Sequence, residues 1–126
     1  MALTLATALR NAIVDAVDAA INGGGGAGYL ELQTSGNVEV ATITFDATAF
    51  GNGSGGTITM ASAPKSDLNA TGGTIGKFRI YAYGATEQMA GTVSTSGADI
   101  NFSGGLAVGA GDRVELTSLT ITCPAS

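Results

Sequence analysis

The chain has 126 residues, enough for one domain and one core. Hydrophobic residues make up 44% of it and charged residues 12%, about half the usual charged share of ~25%, so it does not read as a disordered tail. The net charge is −5 and the five basic residues are scattered, which argues against a surface that neutralises nucleic-acid phosphates.

Residues 4–22 are expected to form an amphipathic helix. Leu5, Leu9, Ile13, Val17 and Ile21 recur every four residues, with Ala8, Ala12, Ala16 and Ala20 beside them and Val14 adding width. Thr4 is the expected N-cap and Gly23 the C′ glycine. Arg10, Asn11, Asp15 and Asp18 fall on or near the opposite side. The oblique apolar stripe suits packing across a twisted sheet or against a neighbouring subunit. Residues 23–28 hold four consecutive glycines and read as a hinge.

Helical periodicity ends there. Segments 29–34, 38–46, 57–62, 76–83, 86–94, 99–102 and 112–123 are rich in Val, Ile, Thr, Phe and Tyr and are bounded by turn residues. They read as seven strands, with 106–108 as a short eighth. Leu30 and Leu32 alternate with Glu31 and Gln33, and Phe78, Ile80 and Ala82 alternate with Lys77, Arg79 and Tyr81. In the last segment Val114 and Leu116 share one parity, but Leu119, Ile121 and Cys123 share the other. That phase change near Thr117 and Ser118 implies a bulge or a bend between sheets. Segment 95–102 reads as a tight turn in which Ser96 and Gly97 reverse the chain, Asp99 caps it, and Ile100 and Phe102 re-enter the core.

The expected fold is mainly β: an antiparallel β-sandwich or jelly roll of 7–8 strands with one N-terminal α-helix. The expected organisation is a helix at 1–22, a hinge at 23–28 and a β-domain at 29–126. Leu9, Ile13, Val17, Ile43, Phe45, Phe78, Ile80 and Leu119 are the expected core.

Chemistry has little to work with. Histidine is absent and Cys123 is the one cysteine, so no internal disulfide or His-based nucleophile activation is available. Two G-x-G-x-x-G matches, at Gly23/Gly25/Gly28 and Gly51/Gly53/Gly56, lead into strands and not into a helix N-terminus, so they do not read as nucleotide sites. Asp112 and Glu115 are near one another in sequence but lie on opposite faces of a strand. No enzyme activity, cofactor or metal is expected. The N-terminus has no basic n-region and no long apolar run, so neither an export signal nor a membrane anchor is read. Synthesis in a cytoplasm is expected.

Certain segments carry a resemblance: the start Leu5-Ala6-Thr7-Ala8-Leu9-Arg10-Asn11-Ala12, the Gly linker into Gly28-Tyr29-Leu30-Glu31-Leu32, the 95–102 turn, and the ending Val114-Glu115-Leu116-Thr117-Ser118-Leu119-Thr120-Ile121-Thr122. This order of features resembles small virion structural proteins of tailed bacteriophages, of the capsid decoration, or cement, type. The resemblance implies a homotrimer on the capsid surface that bridges major capsid protein subunits, with no nucleic-acid or membrane partner. The interaction residues put forward are Leu5, Leu9, Ile13 and Val17 on the helix and Tyr29, Tyr81 and Tyr83 on the strands. A head fibre, tail or baseplate component, or a glycan- or receptor-binding module using the tyrosines, is the alternative.

Overall fold

A computed structural model describes residues 3–102 and 105–125. The fold is mainly β and sandwich-like, with one N-terminal helix; eleven strands lie among the described residues. Helix α1 spans Thr7–Asn22. The strands are β1 Tyr29–Gln33, β2 Glu39–Thr44, β3 Thr57–Thr59, β4 Lys65–Asp67, β5 Gly73–Thr74, β6 Lys77–Ala82, β7 Thr86–Ser94, β8 Ile100–Asn101, β9 Ala107–Val108, β10 Val114–Leu116 and β11 Thr120–Thr122.

A five-stranded curled sheet forms one layer, in the order β2-β1-β6-β7-β8. Strict alternation builds it. Leu30 and Leu32 of β1 lie opposite Ile80 and Phe78 of β6, and all four are buried. The β6–β7 hairpin closes through Tyr83, Gly84 and Ala85: the Ala85 amide donates to the Ala82 carbonyl at 3.1 Å, and Gly84 and Ala85 take positive φ (91° and 67°). Three two-stranded ladders, β10-β4, β11-β3 and β5-β9, lie outside that sheet. Their buried Ile58, Val114 and Leu116, with the neighbouring Met60 and Leu119, join the sheet residues in one core cluster.

The phase change near Thr117 has the structural meaning expected of it. Segment 112–123 is two strands: β10 pairs with β4 and β11 pairs with β3, so the chain changes ladder at the bend. Strands β4 and β5 were not expected. β4 is half-buried throughout and β5 is exposed throughout, so neither has an alternating pattern to read.

The edge of β2 is covered rather than left open. Asp67 Oδ2 accepts from the Thr42 amide at 2.9 Å, and the Gly72 amide donates to the Val40 carbonyl at 3.1 Å. Occupying these edge groups removes a template for unwanted strand pairing.

Segment 95–102 does not simply reverse the chain. β7 and β8 pair in parallel, Val93 opposite Ile100, so the connection is a full loop that recovers its first direction. Asp99 holds that loop: its Oδ2 accepts from both the amide and the hydroxyl of Thr92, at 2.9 and 3.0 Å. Ile100 is buried and Phe102 half-buried against the core.

The helix start also differs from expectation. The N-cap is Ala6, with no side-chain cap, and not Thr4. The Leu5 amide donates to the Ala125 carbonyl at 2.7 Å, which ties the residues before the helix to the C-terminal tail. At the other end Gly23 has φ −68°, and Gly24 and Gly25, at +95° and +89°, make the left-handed turn assigned to Gly23 from sequence.

Candidate functional site

The helix is rolled away from the orientation its hydrophobic pattern suggests. Val14 and Ile21 are buried (1% and 0% exposed) and Val17 is half-buried, while Leu9 and Ile13 are 50% and 39% exposed. Leu9 and Ile13 are therefore corrected from core to surface. The other expected core residues, Ile43, Phe45, Phe78, Ile80 and Leu119, are buried.

A row of short polar side chains holds this roll. Asn22, Asp18, Asp15 and Asn11 stand one above another at 4-3-4 spacing, the spacing that aligns side chains on one helix face. The loop between β2 and β3 runs past them in the opposite direction. The Ala49 amide donates to Asn22 Oδ1 (2.8 Å), Phe50 to Asp18 Oδ1 (3.1 Å), Gly53 to Asp15 Oδ1 (2.6 Å) and Gly56 to Asn11 Oδ1 (2.8 Å). The other edge of the loop pairs with β3 and the residues after it, where the Gly51 amide donates to the Thr59 carbonyl and the Ala61 amide to the Ala49 carbonyl; the amides on this edge need acceptors of their own, and the helix face supplies four. Arg10 completes the dock: its Nε donates to the Cys123 carbonyl (3.0 Å) and its Nη2 to the Gly55 carbonyl (3.1 Å). Replacing Asp18 by alanine strands the Phe50 amide and is expected to cost about 1–3 kcal/mol, read as a lowered urea midpoint at unchanged m-value.

Gly53 and Gly56 permit the close approach. A Cβ on Gly53 would lie 2.9 Å from the Asn11 carbonyl oxygen, and one on Gly56 would meet the Arg10 guanidinium. These glycines serve helix docking.

With the polar row turned inward, the outward face consists of Ala8, Leu9, Ala12, Ile13, Ala16, Ala19 and Ala20, all exposed. It carries no charged side chain. Leu5, at the foot of this face, is half-buried and held by its backbone bond to Ala125.

The glycine run is packed. A Cβ on Gly24 would overlap the Tyr83 carbonyl oxygen; one on Gly26 would lie 2.6 Å from Cδ2 of the Tyr83 ring; one on Gly28 would lie 2.8 Å from Ile21 and from the Tyr81 carbonyl. Of the four consecutive glycines, 23–26, only Gly25 has open space around its Cβ position.

The three tyrosines do not form one platform. Tyr29 and Tyr81 stack at 5.1 Å with 25° between their planes, while Tyr83 is 56% exposed at the β6–β7 turn. Burial, then the Glu31 carboxylate and Tyr81, push the Tyr29 phenol above its usual range. Gln33, buried on β1, donates from Nε2 to Glu31 Oε1 (2.8 Å) and Tyr81 Oη (3.2 Å). Arg79 pairs with Glu87 and donates to Asn37 Oδ1, so its charge is partly neutralised.

A groove of about 640 Å³ opens between β8 and β10, floored by Ile75, Ile100, Phe102 and Leu119. The carboxylates at its rim are already engaged: Asp99 by Thr92, Asp112 Oδ2 by the Gly109 amide (2.8 Å), and Glu115 by Arg113 (2.6 Å). The same holds across the chain, where each of the ten carboxylates accepts a hydrogen bond or pairs with a cation. No cluster of three metal-binding side chains occurs among the described residues.

No family model matches the chain, and no curated protein or solved structure matches it significantly. No helix among the described residues is long and apolar enough to cross a membrane.

Two of these carboxylates are held in their ionised form by hydrogen bonds. Asp99 is held below its ordinary 3.8 by the Thr92 amide and hydroxyl, and Asp46 by hydrogen bonds from Lys65 and Ser62. A lowered folded-state pKa gives stability that is complete above 3.8 and lost as pH falls through the lowered value. The thermal midpoint is therefore expected to be flat from neutrality to about pH 5 and to fall below pH 4, with a shallower fall in an Asp99→Asn variant.

Proposed function

We propose that this protein is a structural component of a tailed-phage virion, a decoration protein that sits on the capsid and bridges neighbouring major capsid protein subunits. The single observation that carries this reading is the outward helix face. Docking the helix through asparagine and aspartate leaves leucine, isoleucine and five alanines in water, the reverse of what a solitary globular protein would favour. A surface of that kind is comfortable when a neighbour covers it. The low charge of the chain supports the same reading, because such a surface suits a lattice better than free solution. The resemblance of the segments at both ends to phage decoration proteins supplies the kind of lattice. The engagement of every carboxylate in a hydrogen bond or ion pair within the fold supports a role without catalysis. The net charge of −5 keeps the protein from being trapped on the viral genome.

A fibre or baseplate component would use residues 23–28 as a swinging hinge, and the packing of Gly24, Gly26 and Gly28 against the β6–β7 hairpin and Ile21 gives that no support. Quantitative mass spectrometry and cryo-electron microscopy of purified particles test the proposal. Hundreds of copies distributed over the shell are expected. A few copies at a single vertex or in the tail would overturn it.

A further inference from the structure

The outward helix face has a pattern of its own. Leu9, Ile13, Ala16 and Ala20 are all exposed and follow one another at 4-3-4 spacing, the spacing of a two-helix seam. The two large residues occupy its N-terminal half and the two small ones its C-terminal half. We propose that this seam pairs with the same seam of a second copy, antiparallel, across a two-fold axis near Ile13 and Ala16. The inference rests on reading the outward helix face as an assembly surface, and it names the partner.

Three observations select an antiparallel second copy. The first is shape. Antiparallel pairing sets Leu9 of each copy against Ala20 of the other and Ile13 against Ala16, so that each large side chain meets a small one. Parallel pairing would stack Leu9 on Leu9 and leave a gap between the alanines, at a cost in packing. The second is charge. The first turn of the helix holds no acid and the last turn no base, so the helix sets no charge of its own against either end of its dipole. An antiparallel neighbour brings the N-terminal end of one helix to the C-terminal end of the other. The third is freedom of the seam: the acids nearest to it, Asp15 and Asp18, are committed to the Gly53 and Phe50 amides on the far side.

The area sets the strength. Sixteen helical residues give a seam about 24 Å long and roughly 10 Å wide, well below the ~800 Å² that each partner contributes to a stable interface. The pair is therefore weak in dilute solution and forms where copies are held close together, as on a shell. A two-fold pair of this kind can link two trimers of the sort the resemblance implies.

Cysteine cross-linking of the full-length chain in a Cys123→Ser background tests the proposal. Leu9→Cys and Ala20→Cys proteins, mixed at high concentration under a glutathione redox buffer, are expected to form the mixed disulfide at least ~10-fold faster than either forms with itself, because only the mixed pair is held in register. Ala16→Glu, added to both, is expected to abolish the preference by placing like charges near the axis. Faster self-linking of Leu9→Cys would show a parallel or threefold arrangement and overturn the proposal. Equal rates for all pairs, with circular dichroism confirming folded variants, would show no specific pairing and would also overturn it. Neither failure touches the capsid reading, which stands or falls on copy number in the particle.

Discussion

Replacing Ile21 by alanine is expected to destabilise the protein by about 2–5 kcal/mol, whereas Leu9→Ala, on the same apparent stripe, is expected to change stability by less than about 1 kcal/mol. Ile21 is 0% exposed and packs against the strands; Leu9 is 50% exposed. Both are large aliphatic residues of one helix, and helix propensity favours alanine slightly over either, so the contrast isolates burial. Chemical denaturation of the two variants measures it. Had the helix docked by its apolar stripe, Leu9 and Ile21 would cost similar amounts. Because Ile21 also touches the space that Gly28 leaves free, its loss opens a cavity where the linker crosses the sheet, and the upper half of the range is expected.

The second large effect concerns that linker. Gly24→Ala is expected to cost about 3 kcal/mol, from positive-φ strain together with overlap on the Tyr83 backbone. Gly25→Ala is expected to cost only about 1 kcal/mol, because its φ is also positive (89°) but nothing lies near its Cβ position. A free hinge would tolerate both substitutions equally. The comparison of thermal midpoints therefore reports whether the glycines serve freedom or close packing, and the structure specifies close packing.

Most strands were legible from alternation. Leu30/Leu32, Ile43/Phe45 and Phe78/Ile80 each place apolar residues on one face, and all six are buried. The shift of parity between Leu116 and Leu119 correctly marked the passage from one ladder to another. β4 and β5 were invisible because a three-residue strand of Lys, Ser and Asp, and a Gly-Thr pair, have no hydrophobic period to detect. The parallel β7–β8 pairing was missed because a short connection is ordinarily a hairpin, and nothing local distinguishes a turn from a full loop.

The helix was misread for an instructive reason. An i+4 apolar row and a polar row are equally periodic, and periodicity does not say which one faces inward. The signal was in the kind of polar residue. Asn11, Asp15, Asp18 and Asn22 are short acceptors, and Lys and Glu, the long side chains of a typical solvated face, do not occur on this helix. Short acceptors at 4-3-4 spacing beside a glycine-rich loop are suited to gripping backbone amides. The interaction residues follow the same division: Leu9 and Ile13 are available at the surface, Leu5 and Val17 are half-buried, and Tyr29, Tyr81 and Tyr83 are separated into a stacked pair and a lone ring.

The orientation of the helix is the claim on which the assembly surface depends. Thiol labelling of Leu9→Cys and Val14→Cys, each in dilute Cys123→Ser protein, tests it most directly. Leu9→Cys is expected to react at nearly the rate of a free thiol and Val14→Cys to react only on global unfolding. Protection of Leu9→Cys together with ready labelling of Val14→Cys would mean that the helix docks by its apolar row, and would contradict the account.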